Sequence, residues 1–156
     1  MSWASCSLGH THWGRRGAAG LLLAAEGKVL IQLRARWAHQ GGTWSIPGGA
    51  IESRETPVAA ALRESSEELG LDVATVAVAG SRVAECGGWT YETVLARPSG
   101  EISEVSVRDR AESDGHAWVP WAEVSARRLH PAFRLAWEHE DDVLRAFVAA
   151  GDRRHG

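Results

Sequence analysis

Residues 49–71 read GAIESRETPVAAALRESSEELGL, and the organisation of the chain is decided there. Thr56 followed by Pro57 predicts a helix start, a hydroxyl at the N-cap with proline at the first helical position. Gly70 predicts the stop, since glycine is the residue that most readily takes the left-handed conformation just past a helix end. The helix is therefore expected over 57–69. On a 3.6-residue wheel Val58, Ala61, Leu62, Ser65 and Leu69 share one face, while Glu64, Glu67 and Glu68 cluster on the other. One face is core-like; the other concentrates three carboxylates.

Like charges three or four residues apart each cost a helix roughly 0.2–0.5 kcal/mol, so this cluster asks for a reason. A solvated acidic face is the ordinary one. A hard divalent cation is the other, because Mg²⁺ prefers oxygen donors and is typically shared between carboxylates and substrate phosphates. The surroundings favour the cation. Gly48 and Gly49 permit a backbone approach that a Cβ would obstruct. Arg63, beside the acidic face, can form a bidentate pair with Glu55 and hold the loop against the helix.

Gly49, five residues, Glu55, seven residues, and then Arg63-Glu64-Ser65-Ser66-Glu67-Glu68-Leu69-Gly70-Leu71 resembles the Nudix box, and the preceding Trp44-Ser45-Ile46-Pro47-Gly48-Gly49 is similar to the usual approach to it. The resemblance implies an α/β/α sandwich with a mixed sheet. It also implies Mg²⁺-dependent hydrolysis of a nucleoside diphosphate linked to another group, with Mn²⁺ as a substitute metal. Carried over by position, Glu64, Glu67 and Glu68 would be metal ligands, together with a carbonyl of Gly48 or Gly49. Gly49, Glu55 and Arg63 would be structural and orienting. The general base would be a box glutamate, here Glu64 with Glu67 in the same catalytic group, or a glutamate on a later loop, here Glu112 with Asp114 as second choice. One position departs: Ser65 stands where the family usually has an aliphatic residue. Buried on the apolar face, its hydroxyl is expected to bond back to the Ala61 carbonyl.

Substrate contacts are less constrained. Arg34 and Arg36 end a strand beside the box and could hold a terminal phosphate, or could be surface arginines. Trp89 and Tyr91, after Gly87-Gly88, could stack on a base or pack in the core. The resemblance helps by missing markers: the proline of ADP-ribose hydrolases and the SQPWPFP tail of nicotinamide-type enzymes are not found, and Tyr91 lies a little far for the tyrosine of dinucleoside polyphosphate enzymes. A MutT-like triphosphate pyrophosphatase acting on nucleoside triphosphates or oxidised purine nucleotides is what remains. The alternative is a Nudix-fold sensor that binds a nucleotide without hydrolysing it; such proteins commonly lose box glutamates, and here all are present.

Outward from the box, residues 17–25 (GAAGLLLAA) and 28–34 (KVLIQLR) predict a β-hairpin turned at Glu26-Gly27. A short strand is expected over 43–46, broken by Pro47-Gly48-Gly49. Strands are expected over 73–84, 90–97 and 117–120, then a short segment at 121–125 and a C-terminal helix over 131–150, started at His130-Pro131. The order β-β-β-α-β-β-β-α predicts mixed α/β layers with helices on a sheet. Residues 1–16 lack periodicity and are expected to be an irregular leader to one domain over 17–150. Cys6-x₃-His10-x-His12 lacks a fourth ligand nearby and reads as polar leader rather than a zinc site.

At 156 residues the chain suits a single domain. A net charge of −3 argues against a nucleic-acid partner, whose affinity needs a basic surface. No apolar run approaches the roughly 20 residues that cross a bilayer, and residues 1–20 carry no signal-peptide core, so no membrane is expected and the cytoplasm is the expected compartment. Cys6 and Cys86 read as free thiols. A strand-rich unit with eight tryptophans is compatible with a homodimer, and a rival reading makes exposed tryptophans an interaction surface.

Overall fold

A computed structural model describes residues 16–38, 40–108 and 113–152 in full and residues 3–5 and 11–13 by their backbone. In chain order the elements are β1 (Trp3–Ser5), β2 (Thr11–Trp13), β3 (Ala18–Ala25), β4 (Lys28–Arg34), β5 (Trp44–Ser45), β6 (Gly48–Ala50), α1 (Pro57–Leu69), β7 (Val76–Cys86), β8 (Trp89–Pro98), β9 (Ser113–Pro120), α2 (Pro131–Trp137) and α3 (Val143–Ala150).

The main sheet runs β5-β4-β3-β8-β7, with β6 also paired to β3 and β9 to β4. Its β3–β8 ladder is parallel, Ala18 opposite Tyr91 through Leu23 opposite Ala96, and the other ladders are antiparallel. The sheet is mixed, as expected. All of β3 is buried, which is why it reads as an unbroken apolar run: a strand covered on both faces has no reason to alternate. Ala19, Leu21 and Leu23 pack with Ala60, Ala61 and Leu69 of α1. Leu22 and Ala24 face the other way, toward Phe133 and Trp137 of α2 and Leu144 and Val148 of α3. Helices thus cover both faces, the α/β/α sandwich.

Four expectations change. Gly48 and Gly49, read as part of a break at 47–49, form β6 together with Ala50; Ala50, Gly49 and Gly48 pair with Ala18, Ala19 and Gly20. The strand expected over 73–84 begins later, after a 3₁₀ turn at Val73–Thr75 capped by Asp72. The helix expected over 131–150 is two helices: α2 stops at Trp137, and before α3 Asp142 takes φ 55° while Asp141 accepts from the Val143 N–H at 3.1 Å. The leader is not wholly irregular, since β1 and β2 pair antiparallel. Cys6 and His10 lie outside the described residues, as does the His12 side chain. No helix among the described residues is long and apolar enough to cross a membrane.

Candidate active site

Helix α1 starts and stops where the sequence places it. The Thr56 hydroxyl accepts from the Ala59 N–H at 3.0 Å, and Gly70, at φ 61°, closes the C-terminus by donating to the Ser66 carbonyl at 2.9 Å. Ser65 is fully buried and its hydroxyl donates to the Ala61 carbonyl at 2.7 Å, as expected for a serine on an apolar face.

The preceding loop is tied to this helix by Arg63. Its Nε donates to Glu55 Oε2 at 2.7 Å and its Nη2 to Glu55 Oε1 at 3.0 Å, a fork-to-fork pair. Nη2 also reaches the Ala50 carbonyl at 3.1 Å, and Nη1 reaches Glu64 at 3.0 Å and Glu67 at 3.2 Å. The guanidinium hydrogen bonds hold the Glu55 carboxyl below its ordinary range, and Glu55, in return, pushes Arg63 further up. Arg63 therefore stays charged and fixes loop and helix together.

Two of the three helix glutamates turn inward. Glu68 is 8% exposed; its Oε2 accepts from the Gly48 N–H at 2.8 Å and its Oε1 from Gln32 Nε2 at 3.3 Å. Burial, reinforced by the neighbouring Glu64, pushes its carboxyl up to about 8. Glu64 packs on Gly49 so closely that a Cβ there would stand 2.6 Å from its carboxylate. Glu67 has a side chain 56% exposed.

Among the described residues no three His, Cys, Asp or Glu side chains are gathered closely enough to hold a metal ion as they stand. The donors nonetheless suit a hard cation: they are carboxylate oxygens, and Glu68 is a buried acid raised by a second acid, a pairing that a divalent ion would relieve. Glu64, Glu67 and Glu68 with a Gly48 or Gly49 carbonyl are the residues that would hold it.

The remaining candidates divide. Arg34 is half-buried on β4 and its charge is felt by Glu68 and Tyr91. Arg36 is exposed on the following turn. Trp89 and Tyr91 sit on one face of β8, ring centroids 6.5 Å apart. The Tyr91 hydroxyl is pressed against Gly20 and Gly48, and burial drives it well above the ordinary phenol range. Its tip lies against the glycine at 48, and Trp89 is half-buried. Asp114 is exposed on β9, and Glu112 lies outside the described residues. His130 caps α2, its Nδ1 accepting from Ala132 at 3.1 Å, so it starts the helix as expected. Sequence reasoning missed Gln32 and Gly20. For Gln32 a signal existed: one polar residue inside KVLIQLR on a strand otherwise patterned for burial.

The sequence matches the family model described as NUDIX domain over residues 14–142. The chain belongs to the Nudix hydrolase family. It is similar to a protein of Mycobacterium tuberculosis named "Putative 8-oxo-dGTP diphosphatase 3", 45% identical over 147 residues, covering 87% of this chain and 66% of that protein. It is also similar to a "Nucleoside triphosphate pyrophosphatase/Nudix hydrolase fusion protein" of Bifidobacterium longum, 41% identical, covering 86% of this chain and 30% of that one. The chain thus spans under two thirds of the length of these relatives. Among solved structures it resembles RenU, a Nudix hydrolase from M. smegmatis, with a TM-score of 0.78 and 39% identity, covering 91% of this chain and 93% of that one.

Proposed function

We propose that the protein hydrolyses a pyrophosphate bond in a nucleoside diphosphate derivative with Mg²⁺, and that nucleoside triphosphates, oxidised purine nucleotides such as 8-oxo-dGTP first among them, are its substrates. The observation that carries this reading is the buried Glu68, held at both oxygens and set beside Glu64 on the Gly49 backbone. The names of the tuberculosis and Bifidobacterium relatives support the substrate class.

When bound, the metal supplies charge neutralisation at the diphosphate and a lowered pKa for the attacking water. The chain's own groups do the rest. Arg63 and Glu55 keep the loop and helix in register, so that the acidic groups meet the substrate already ordered. Arg34 offsets the charge of the phosphates. Glu64 or Glu112 takes the proton of the attacking water, Glu64 being the one whose carboxylate is fixed against Gly49. Trp89 offers a ring to the base.

The test is a phosphate- and pyrophosphate-release screen with Mg²⁺ over nucleoside triphosphates, 8-oxo-dGTP, ADP-ribose, dinucleoside polyphosphates and nucleotide sugars. The expected result is pyrophosphate and a nucleoside monophosphate from triphosphates, fastest with the oxidised purine. Cleavage confined to ADP-ribose or dinucleoside polyphosphates would overturn the substrate class, and no release at all would leave a nucleotide sensor.

A further inference from the structure

Strand β4 alternates. Val29 and Ile31 face the core beneath α2 and α3, while Leu30 lies with the α1 core. Gln32, two residues on from Leu30, is on the α1 face and is 2% exposed. A position there, between a sheet and a packed helix, is one an apolar side chain would fill without cost. Instead it holds an amide whose Oε1 has no hydrogen-bond partner among the described residues. Leaving a buried polar group unsatisfied costs roughly 1–3 kcal/mol, so the Oε1 end of Gln32 works against stability.

What the amide does accomplish is at its other end. Nε2 donates to Glu68 Oε1 at 3.3 Å, while the Gly48 N–H donates to Oε2 at 2.8 Å. The two oxygens of one carboxylate are thus held from two strands, β4 and β6, neither of them part of the helix that carries Glu68. A glutamate has three torsions to order, and side chains of this length lose up to roughly 1.5–2 kcal/mol of rotamer freedom when fixed. Here that ordering is done before any ligand arrives.

We propose that Gln32 is a positioning residue that fixes the Glu68 carboxylate in the orientation in which it meets a divalent cation. The inference rests on the metal-dependent reading above. Groups that hydrogen-bond a metal-ligating carboxylate typically change metal affinity or activity 10–100-fold when removed, and Gln32 belongs to that group. It acts through Glu68 and has no role in binding the nucleotide.

The test is Mn²⁺ alone, without nucleotide, titrated into wild type, Gln32→Leu and Gln32→Met and followed by electron paramagnetic resonance, with thermal unfolding of each protein in the metal-free state. Both variants should bind Mn²⁺ about 10–100-fold more weakly than wild type while remaining cooperatively folded, the removal of the orphaned carbonyl offsetting the lost donor to Glu68. In turnover, the Mg²⁺ concentration for half-maximal rate should rise by a similar factor, with KM for the nucleotide at saturating Mg²⁺ within about twofold of wild type. Met keeps the length and flexibility of glutamine and serves if Leu distorts the strand. Wild-type metal affinity in a folded variant would overturn the role of Gln32 alone. A wild-type protein that binds no Mn²⁺ would overturn the metal reading itself.

Discussion

Arg63 meets both carboxylate oxygens of Glu55, at 2.7 and 3.0 Å, across the loop that leads into helix α1. Both side chains are largely shielded, 23% and 13% exposed, so the pair is worth more than a surface ion pair. Glu55→Gln should lower stability by about 1–2 kcal/mol in urea unfolding. The sign with pH follows from the lowered Glu55 carboxyl. Its contribution is present above the unfolded value near 4.5 and is lost as pH falls through the lower folded value. Wild type and Glu55→Gln should therefore converge in stability on acidification; a gap that persists into strong acid would show that the ion pair is not its source.

Glu68 runs the opposite way. Its folded value near 8 lies above the ordinary carboxyl value of 4.5, so between these limits the folded protein holds a proton that the unfolded chain releases. Metal-free stability should fall as pH rises from about 4.5 to about 8. Glu68→Gln should flatten that slope, and saturating Mg²⁺ should reverse it in wild type. Identical pH profiles for wild type and Glu68→Gln would remove the assignment of a raised carboxyl.

Glu67→Gln and Glu68→Gln should each reduce Mg²⁺-dependent turnover by about a hundredfold or more while far-ultraviolet circular dichroism stays that of wild type. Near wild-type rates in either variant would remove that residue from the metal set.

Gly20 and Tyr91 should be energetically coupled. A Cβ on Gly20 collides with the Tyr91 hydroxyl and crowds the Pro47 carbonyl at 3.0 Å and Ile46 Cδ1 at 3.1 Å. Gly20→Ala should cost about 1–3 kcal/mol, and Tyr91→Phe, by deleting the hydroxyl, should restore part of it. A double-mutant cycle measures the coupling; strict additivity would mean that the crowding comes from the Pro47 and Ile46 side instead.

The box helix was legible because everything that defines it is local: a cap, a proline, a 3.6-residue pattern and a C-terminal glycine. The Glu55–Arg63 pair and the Ser65 bond to Ala61 were legible for the same reason, being set by spacing along one loop and one helix. Strand β6 was not, since Pro47-Gly48-Gly49 carries every local sign of a break and pairs only because β3 offers an edge there. Tyr91 was read as a base-stacking ring or as core packing because nothing near it in sequence says that two glycines, at 20 and 48, make room for its hydroxyl. The division of the last helix hangs on the turn at 138–142, where Asp142 takes a positive φ, and the apolar periodicity on either side masks it. Glu112 lies outside the described residues, so the later-loop base rests on its position in the sequence.

The pairing of β6 with β3 also governs how the glycine loop moves. Loops that carry reactive groups ordinarily open locally, at little free energy, independent of the core. Here residues 48–50 are hydrogen-bonded to a strand buried along its whole length. Opening the loop means prying at the most protected part of the protein, so its excursions are coupled to those of the whole domain. Its amides should exchange with solvent in the same slow class as those of β3, and the site should persist until the fold itself gives way.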